Sequence, residues 1–193
     1  MQNRVSRRQA LQCTGWLGAT LVAGAAPFKA QASSAQSVLP AAVQSLLPPV
    51  SKRGMARMRF VGLSIYDASL WVPAGFEPQR YAAYSFALDL AYWRSLRGRL
   101  IAERSLKEMQ RAGALDAAVA KRWLHFMGQT FPDVHEGDHL TGVHVPEQGA
   151  HFFFNGKALA ASDDAVFAEC FFGIWLAPWT SEPQLRSQLL AEL

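Results

Sequence analysis

Three histidines and three carboxylates fall within fifteen positions in FPDVHEGDHLTGVHV, residues 131–145. Imidazole and carboxylate side chains at short spacing are the raw material of a metal site. The local pattern works against that reading. Gly137-Asp138 is a turn signal, and HLTGVHV after it alternates like a strand. Successive strand residues point to opposite faces, so His139 and His144 face apart. At most His135, Asp138 and His139 could converge, and such a trio in a turn is a weak signal for a metal. The segment is read as a polar turn between a helix and a strand. No metal is expected.

Arginines are the second source of chemistry. A strand over 57–67 would place Arg57, Arg59, Val61, Leu63 and Ile65 on one face. A guanidinium on an apolar face is costly without a partner. That partner is either an acidic side chain (Asp67, Asp89 or Glu103) or the carboxylate or oxyanion of a ligand held by a bidentate contact. Arg57 lies nearer the strand end and is expected to be more solvated than Arg59. Further on, one helix carries Arg97, Arg104, Ser105 and Met109, and Arg97 and Arg104, seven residues apart, lie on the same face of it. Glu108 follows Arg104 by four residues, the spacing of a surface ion pair. The aromatic residues Tyr66, Trp71, Tyr92, Trp93, Phe153, Phe172 and Trp175 are core candidates one by one, and together could wall an apolar cleft. Cys170 sits in the apolar run VFAECFFGIWL and reads as a buried small hydrophobe. The sequence contains no hydrolase elbow, P-loop, dinucleotide fingerprint or zinc-finger spacing.

The elements that must position these residues follow from periodicity. MARMRFVGLSIYDASLWV, 55–72, predicts two strands or one long bent strand, and YSFALDLAYW, 84–93, the next. A helical stretch opens at Ser95 and closes at Gly113. Leu115, Val119, Trp123, Phe126 and Met127 mark one face of a second helix, which Pro132 ends. Asn155-Gly156 between apolar runs predicts a hairpin with a type I′ turn. Ser162 is the expected N-cap of a largely buried helix that stops at Pro178. Ser181 and Gln184 are the expected capping box of a last helix with Leu185, Leu189 and Leu193 on its inner stripe. Strands, two helices, a hairpin and two more helices make an α+β fold: an antiparallel sheet with a layer of helices on one face.

With 193 residues, half of them hydrophobic, the chain can build one sizeable core. The formal charge of +4 suggests an anionic partner until the charges are located. Residues 1–32 contain Arg4, Arg7, Arg8 and Lys29 and no acid, and the remainder is formally neutral. Nucleic acid is therefore not an expected partner. The same N-terminal stretch has a positive n-region, the mild apolar run LQCTGWLGATLVAGAA, and AQA before Ser33. Ser6-Arg7-Arg8 ahead of it has the form of a twin-arginine export signal, with an ordinary Sec signal as the alternative. The expected organisation is an export signal over 1–32, a Ser-, Ala- and Pro-rich linker over 33–50 with a short ordered piece near its end, and one domain over 51–193. The mature chain would be periplasmic and would not span a membrane. Cys13 lies in the signal, so Cys170 would have no intramolecular partner.

Several blocks, taken in order, resemble the bacterial chalcone isomerase-like family: GLSIYDASLWV, LDLAYWR, ERSLKEMQRAG, FPDVHEGDHLTG, FFFNGKAL and FFGIWLAPWTSEPQLRSQLL. The resemblance covers roughly residues 50–193. It implies an open-faced β-sandwich, a ligand cleft between sheet and helices, and no cofactor. Plant chalcone isomerases cyclise a chalcone to a flavanone, using an early-strand Arg, a Tyr and an Asn on a helix, and a Ser or Thr on a later helix. Other members bind fatty acids. In this sequence the early Arg corresponds to Arg59 or Arg57, the Tyr position to Arg97, the Asn to Arg104, and the Ser/Thr to Cys170. The polar set for cyclisation is then incomplete, while basic replacements suit an acid. The expectation is an exported, non-catalytic protein that binds a small amphipathic acid such as a fatty acid. Arg59 would hold the carboxylate and the aromatics would line the tail. The alternative is an isomerase or lyase acting on a phenolic or enone substrate, which would need Tyr66 or Tyr92 in the same cleft as the Arg. A third possibility is an interaction module with a collapsed cleft and an exposed apolar patch.

Overall fold

The computed structural model describes residues 39–191. Six strands form one antiparallel sheet in sequence order: β1 (Val50–Phe60), β2 (Leu63–Pro73), β3 (Phe86–Tyr92), β4 (His139–Val145), β5 (Gly149–Phe154) and β6 (Lys157–Ser162). A four-residue helix, α1 (Ala41–Gln44), precedes the sheet. Helices α2 (Gly98–Met109) and α3 (Ala117–Thr130) lie between β3 and β4 in sequence. Helices α4 (Ala165–Leu176) and α5 (Pro183–Leu190) follow β6. This is the expected α+β arrangement. The export-signal segment falls outside the described residues.

Alternation sets the two faces of the sheet. Leu70, Leu88, Leu90, Leu140 and Phe152 pack in one cluster with Ala102, Met109, Trp123, Met127, Phe167 and Phe172 of the helices. On the other face a smaller cluster gathers Ala87, Val143 and Phe153 under Leu39 and Val43. The ordered piece expected at the end of the linker is thus α1, and it covers part of the outer face. β1 also begins inside the stretch read as linker, at Val50.

Of the two alternatives over 55–72, the structure has two strands joined by a second tight hairpin, not one long bent strand. The chain reverses at Val61-Gly62, where φ is +48° and +78°. Valine is a strand former that rarely adopts positive φ, so the sequence gives no turn signal there. Residues 57–65 therefore do not run along one strand face, and a register shift between Met58 and Arg59 displaces the pattern again. The hairpin at Asn155-Gly156 has the expected geometry, with φ of +48° and +78°.

Helix starts differ by a few residues. α2 begins at Gly98 rather than Ser95, because Gly98 sits against the backbone of Phe131 and a Cβ there would overlap the Phe131 carbonyl oxygen. The Asp133 carboxylate accepts from Gly98 N at 2.8 Å. α4 is capped by Asp164, which accepts from Phe167 N at 2.9 Å, and not by Ser162. α5 starts after Glu182 and Pro183, so the Ser181 capping box does not form. Thr180 Oγ1 accepts from Glu182 N instead.

Candidate ligand-binding cavity

A cavity of about 260 Å³ lies between the sheet and the helices. The sheet supplies Met58 and Phe60 from β1, Ile65 and Tyr66 from β2, Leu90 and Tyr92 from β3 and Leu140 from β4. Leu100, Ile101, Arg104, Ser105 and Glu108 come from α2, Phe171, Ile174 and Trp175 from α4, and Leu185 from α5. Leu96, Phe131, Ser181 and Glu182 complete the lining. The wall is mostly aliphatic and aromatic, with a few polar groups near one another, the usual composition of a small-molecule site.

Arg104 is the one cation in that lining. Its Nη2 donates to Glu108 Oε1 at 2.7 Å, and Arg111 Nε lies 3.8 Å from Glu108 Oε2. Two guanidinium groups around one carboxylate leave a net positive charge of about one. The pair expected on a solvated face does form, but Glu108 is only 6% exposed and borders the cavity. Glu182 adds a second carboxylate to the lining. Tyr66 Oη accepts from Trp175 Nε1 at 3.0 Å, and no acceptor takes its own proton among the described residues. Tyr66 and Tyr92 meet edge-on with centroids 5.8 Å apart. Burial pushes both phenols well above their ordinary range, so both stay protonated and able to donate.

The residues singled out in the sequence divide into two groups. Tyr66, Tyr92 and Arg104 line the cavity together. Arg57, Arg59, Arg97 and Cys170 do not. Arg57 makes a bidentate pair with Asp67, at 2.6 and 2.8 Å, and its guanidinium lies 4.4 Å from the Trp93 ring. Arg59 is exposed and acts on Asp67 only through space. Both stand away from the cavity because Met58 and Phe60 take the inward positions of β1. Arg97 is the exposed residue before α2, with no capping contact from its side chain. Cys170 is half-buried against the core, and burial pushes its thiol up. Of the aromatic set, Tyr66, Tyr92 and Trp175 wall the cavity, whereas Trp71 and Phe153 belong to the outer cluster and Trp93 is exposed. The sequence reading missed Met58, Phe60 and Glu182. Met58 and Phe60 would have followed from placing the turn at Val61-Gly62.

The histidine-rich turn is held by its own side chains. His135 N donates to Asp138 Oδ2, Asn155 Nδ2 donates to Asp138 Oδ1, and His139 N donates to Asn155 Oδ1. His139 Nδ1 lies 2.8 Å from Asp89 Oδ2 on the outer face. His144 stacks on Phe86 inside the core. Among the described residues, no three His, Cys, Asp or Glu side chains are placed to hold a metal ion.

A single antiparallel sheet with a helical layer and a cavity between them defines an α+β protein of the open-faced β-sandwich class. The sequence matches the chalcone isomerase-like family model over residues 52–191, and the chain belongs to that family. An uncharacterized protein of Haemophilus influenzae is 33% identical over 105 residues, covering 54% of this chain and 51% of that protein. The chain thus spans about half the length of that curated relative. The crystal structure of a fatty-acid binding protein of Arabidopsis thaliana superposes with a TM-score of 0.54. That match has 8% identity and covers 73% of this chain and 86% of the plant protein. At that identity the likeness shows the fold. No helix among the described residues is long and apolar enough to cross a membrane.

Proposed function

We propose that this chain is an exported, non-catalytic binding protein for a small amphipathic acid of the fatty-acid kind. The observation that carries the reading is Arg104, the one cation in a mostly aliphatic and aromatic cavity whose two carboxylates, Glu108 and Glu182, share its lining. The acid's carboxylate would take the guanidinium donors that Glu108 does not use, with Tyr66 as a further donor. The chain tail would lie against Leu90, Ile101, Leu140, Phe171 and Ile174. The plant fatty-acid binding protein of the same fold supports this ligand class, and the N-terminal signal pattern supports export.

The test uses the full chain after removal of bound lipid. Dodecanoate should raise the melting temperature and dodecanol should raise it less, since only the acid can pair with Arg104. At a hundredfold excess over Kd the stabilisation is about 2.7 kcal/mol, or roughly 5–10 °C for a domain of this size. Arg104→Gln should remove the acid's advantage, and Arg59→Ala should leave it intact. No response to dodecanoate would defeat the reading.

One observation favours a second reading, an isomerase or lyase acting on a phenolic or enone substrate. Tyr66, Tyr92 and Arg104 face the same space and could stabilise an oxyanion. Turnover of a chalcone, lost in Arg104→Gln, would establish it.

A further inference from the structure

The β1–β2 hairpin ends in an unusual tip. Phe60, Val61 and Leu63 are 57%, 84% and 52% exposed, and only Gly62 separates them. Exposed apolar side chains in a continuous run call for a partner. The backbone makes the choice of residue more telling. Val61 holds φ +48°, where a β-branched side chain is strained. The chain contains the unstrained solution to the same turn: Asn155-Gly156 has the same pair of φ values, with asparagine in the first position. An apolar, strained residue therefore stands at the most exposed point of the hairpin, where a polar, relaxed one would serve folding better.

The tip is continuous with the cavity. Phe60 lines it, as does Leu100 of α2, itself 46% exposed, so both mark its mouth. The flanks are basic. Arg59 is exposed beside the tip, and Arg97 is exposed at the start of α2, three residues before Leu100. Of the carboxylates on β2 and α2, Asp67 is paired with Arg57, Glu103 with Arg99 and Glu108 with Arg104, while half-buried Glu182 lines the cavity itself. Apolar side chains that project beyond a rim of arginines match an anionic lipid surface: the arginines meet the headgroups and the tip enters the acyl boundary.

We propose that the Phe60–Leu63 tip is a membrane-docking element that seats the cavity mouth on an anionic bilayer. The inference does not depend on which ligand the cavity holds. Its test reads the tip itself. In a Cys13→Ser, Cys170→Ala background, an environment-sensitive dye is attached at Val61→Cys, or at Leu159→Cys on the opposite edge strand of the sheet. With phosphatidylglycerol vesicles the dye at position 61 should shift to the blue, and the dye at 159 should not. With phosphatidylcholine vesicles the shift should be several-fold smaller, and Arg59→Gln should reduce it on the anionic vesicles. A second variant guards against misfolding. Val61→Asn should raise the melting temperature by relaxing the turn, while lowering the fraction that floats with anionic vesicles. An unchanged dye at position 61, or equal shifts at 61 and 159, would overturn the proposal. So would lipid-free dimerisation abolished by Val61→Asn, which would assign the tip to a second copy of this chain.

Discussion

Asp89 sits beneath His139 on the sheet face away from the cavity, accepting from Thr141 Oγ1 and lying 2.8 Å from the imidazole Nδ1. The hydrogen bond to this carboxylate raises the pKa of His139 above its ordinary 6.5, against a smaller opposing effect of burial. The folded state then holds the proton more tightly than the unfolded one. The stabilisation is complete below about pH 6.5 and is lost as pH rises through the raised value. His144 acts in the opposite direction. Burial against Phe86 and Phe172 favours its neutral form and lowers its pKa, so it costs stability as pH falls below 6.5. His139→Gln should therefore lower stability below pH 6.5, flatten the decline above it, and leave in place the fall on the acid side that His144 causes. Urea midpoints from pH 5 to 9 check this. A wild-type decline that persists in the variant would show that other groups cause it. The two histidines could be assigned to opposite faces from strand alternation, but Asp89 as partner could not, since it lies fifty residues away in the chain.

At the scale of elements, legibility depended on whether a turn uses the residues its backbone prefers. Asn155-Gly156 does, and the β5–β6 hairpin was readable. Val61-Gly62 does not, so two strands and one long bent strand stay equally open over 55–72, and a continuous strand over 57–67 is the basis of the face assignment. That assignment placed Arg59 with apolar residues on one face and made it the expected carboxylate partner. With the turn in place, Met58 and Phe60 face the cavity, and the charge comes from Arg104 on α2. Helix existence was readable from apolar periodicity, while the caps were not, because several polar residues compete near each start. The cap of α4 shows what was hidden. Asp164 accepts from Phe167 N and also from Trp123 Nε1 at 2.9 Å, tying α3 to the start of α4. Asp164→Ala would remove the cap and leave a buried indole N–H unpaired. The expected loss is about 2–3 kcal/mol, the sum of a typical cap and an unsatisfied donor. Ser162→Ala, the substitution the sequence alone would have chosen, should cost well under half of that. Denaturant midpoints of the two variants separate the cases.

At the scale of the molecule, the cavity is a gap in otherwise dense packing. The core around it is closed by aromatic contacts, among them Phe131, Phe152, Phe167 and Phe171 meeting at 5–6 Å. Yet Ser105, a small polar residue only 8% exposed, faces the cavity from the middle of α2, between Arg104 and Glu108. A larger apolar residue there would remain on a helix and could extend into about 260 Å³ of space against Ile101 and Leu140. If the gap were only a packing defect, filling it would improve stability at no other cost. If it holds a ligand, filling it should exchange binding for stability. Ser105→Leu is therefore expected to gain about 1 kcal/mol from added burial, a rise of roughly 2–4 °C, and to lose the dodecanoate response. Loss of the response with stability unchanged or raised would place the ligand in this cavity, because a misfolded variant would lose both. A stabilised variant that still responds to dodecanoate would move the binding site elsewhere on the molecule. The proposed docking tip should be indifferent to this substitution, since Val61 and Leu63 do not line the cavity and Phe60 borders it at the exposed hairpin end. Vesicle docking that survives in Ser105→Leu would thus separate docking at the mouth from binding in the cavity, as two properties carried by different elements, the β1–β2 hairpin and α2.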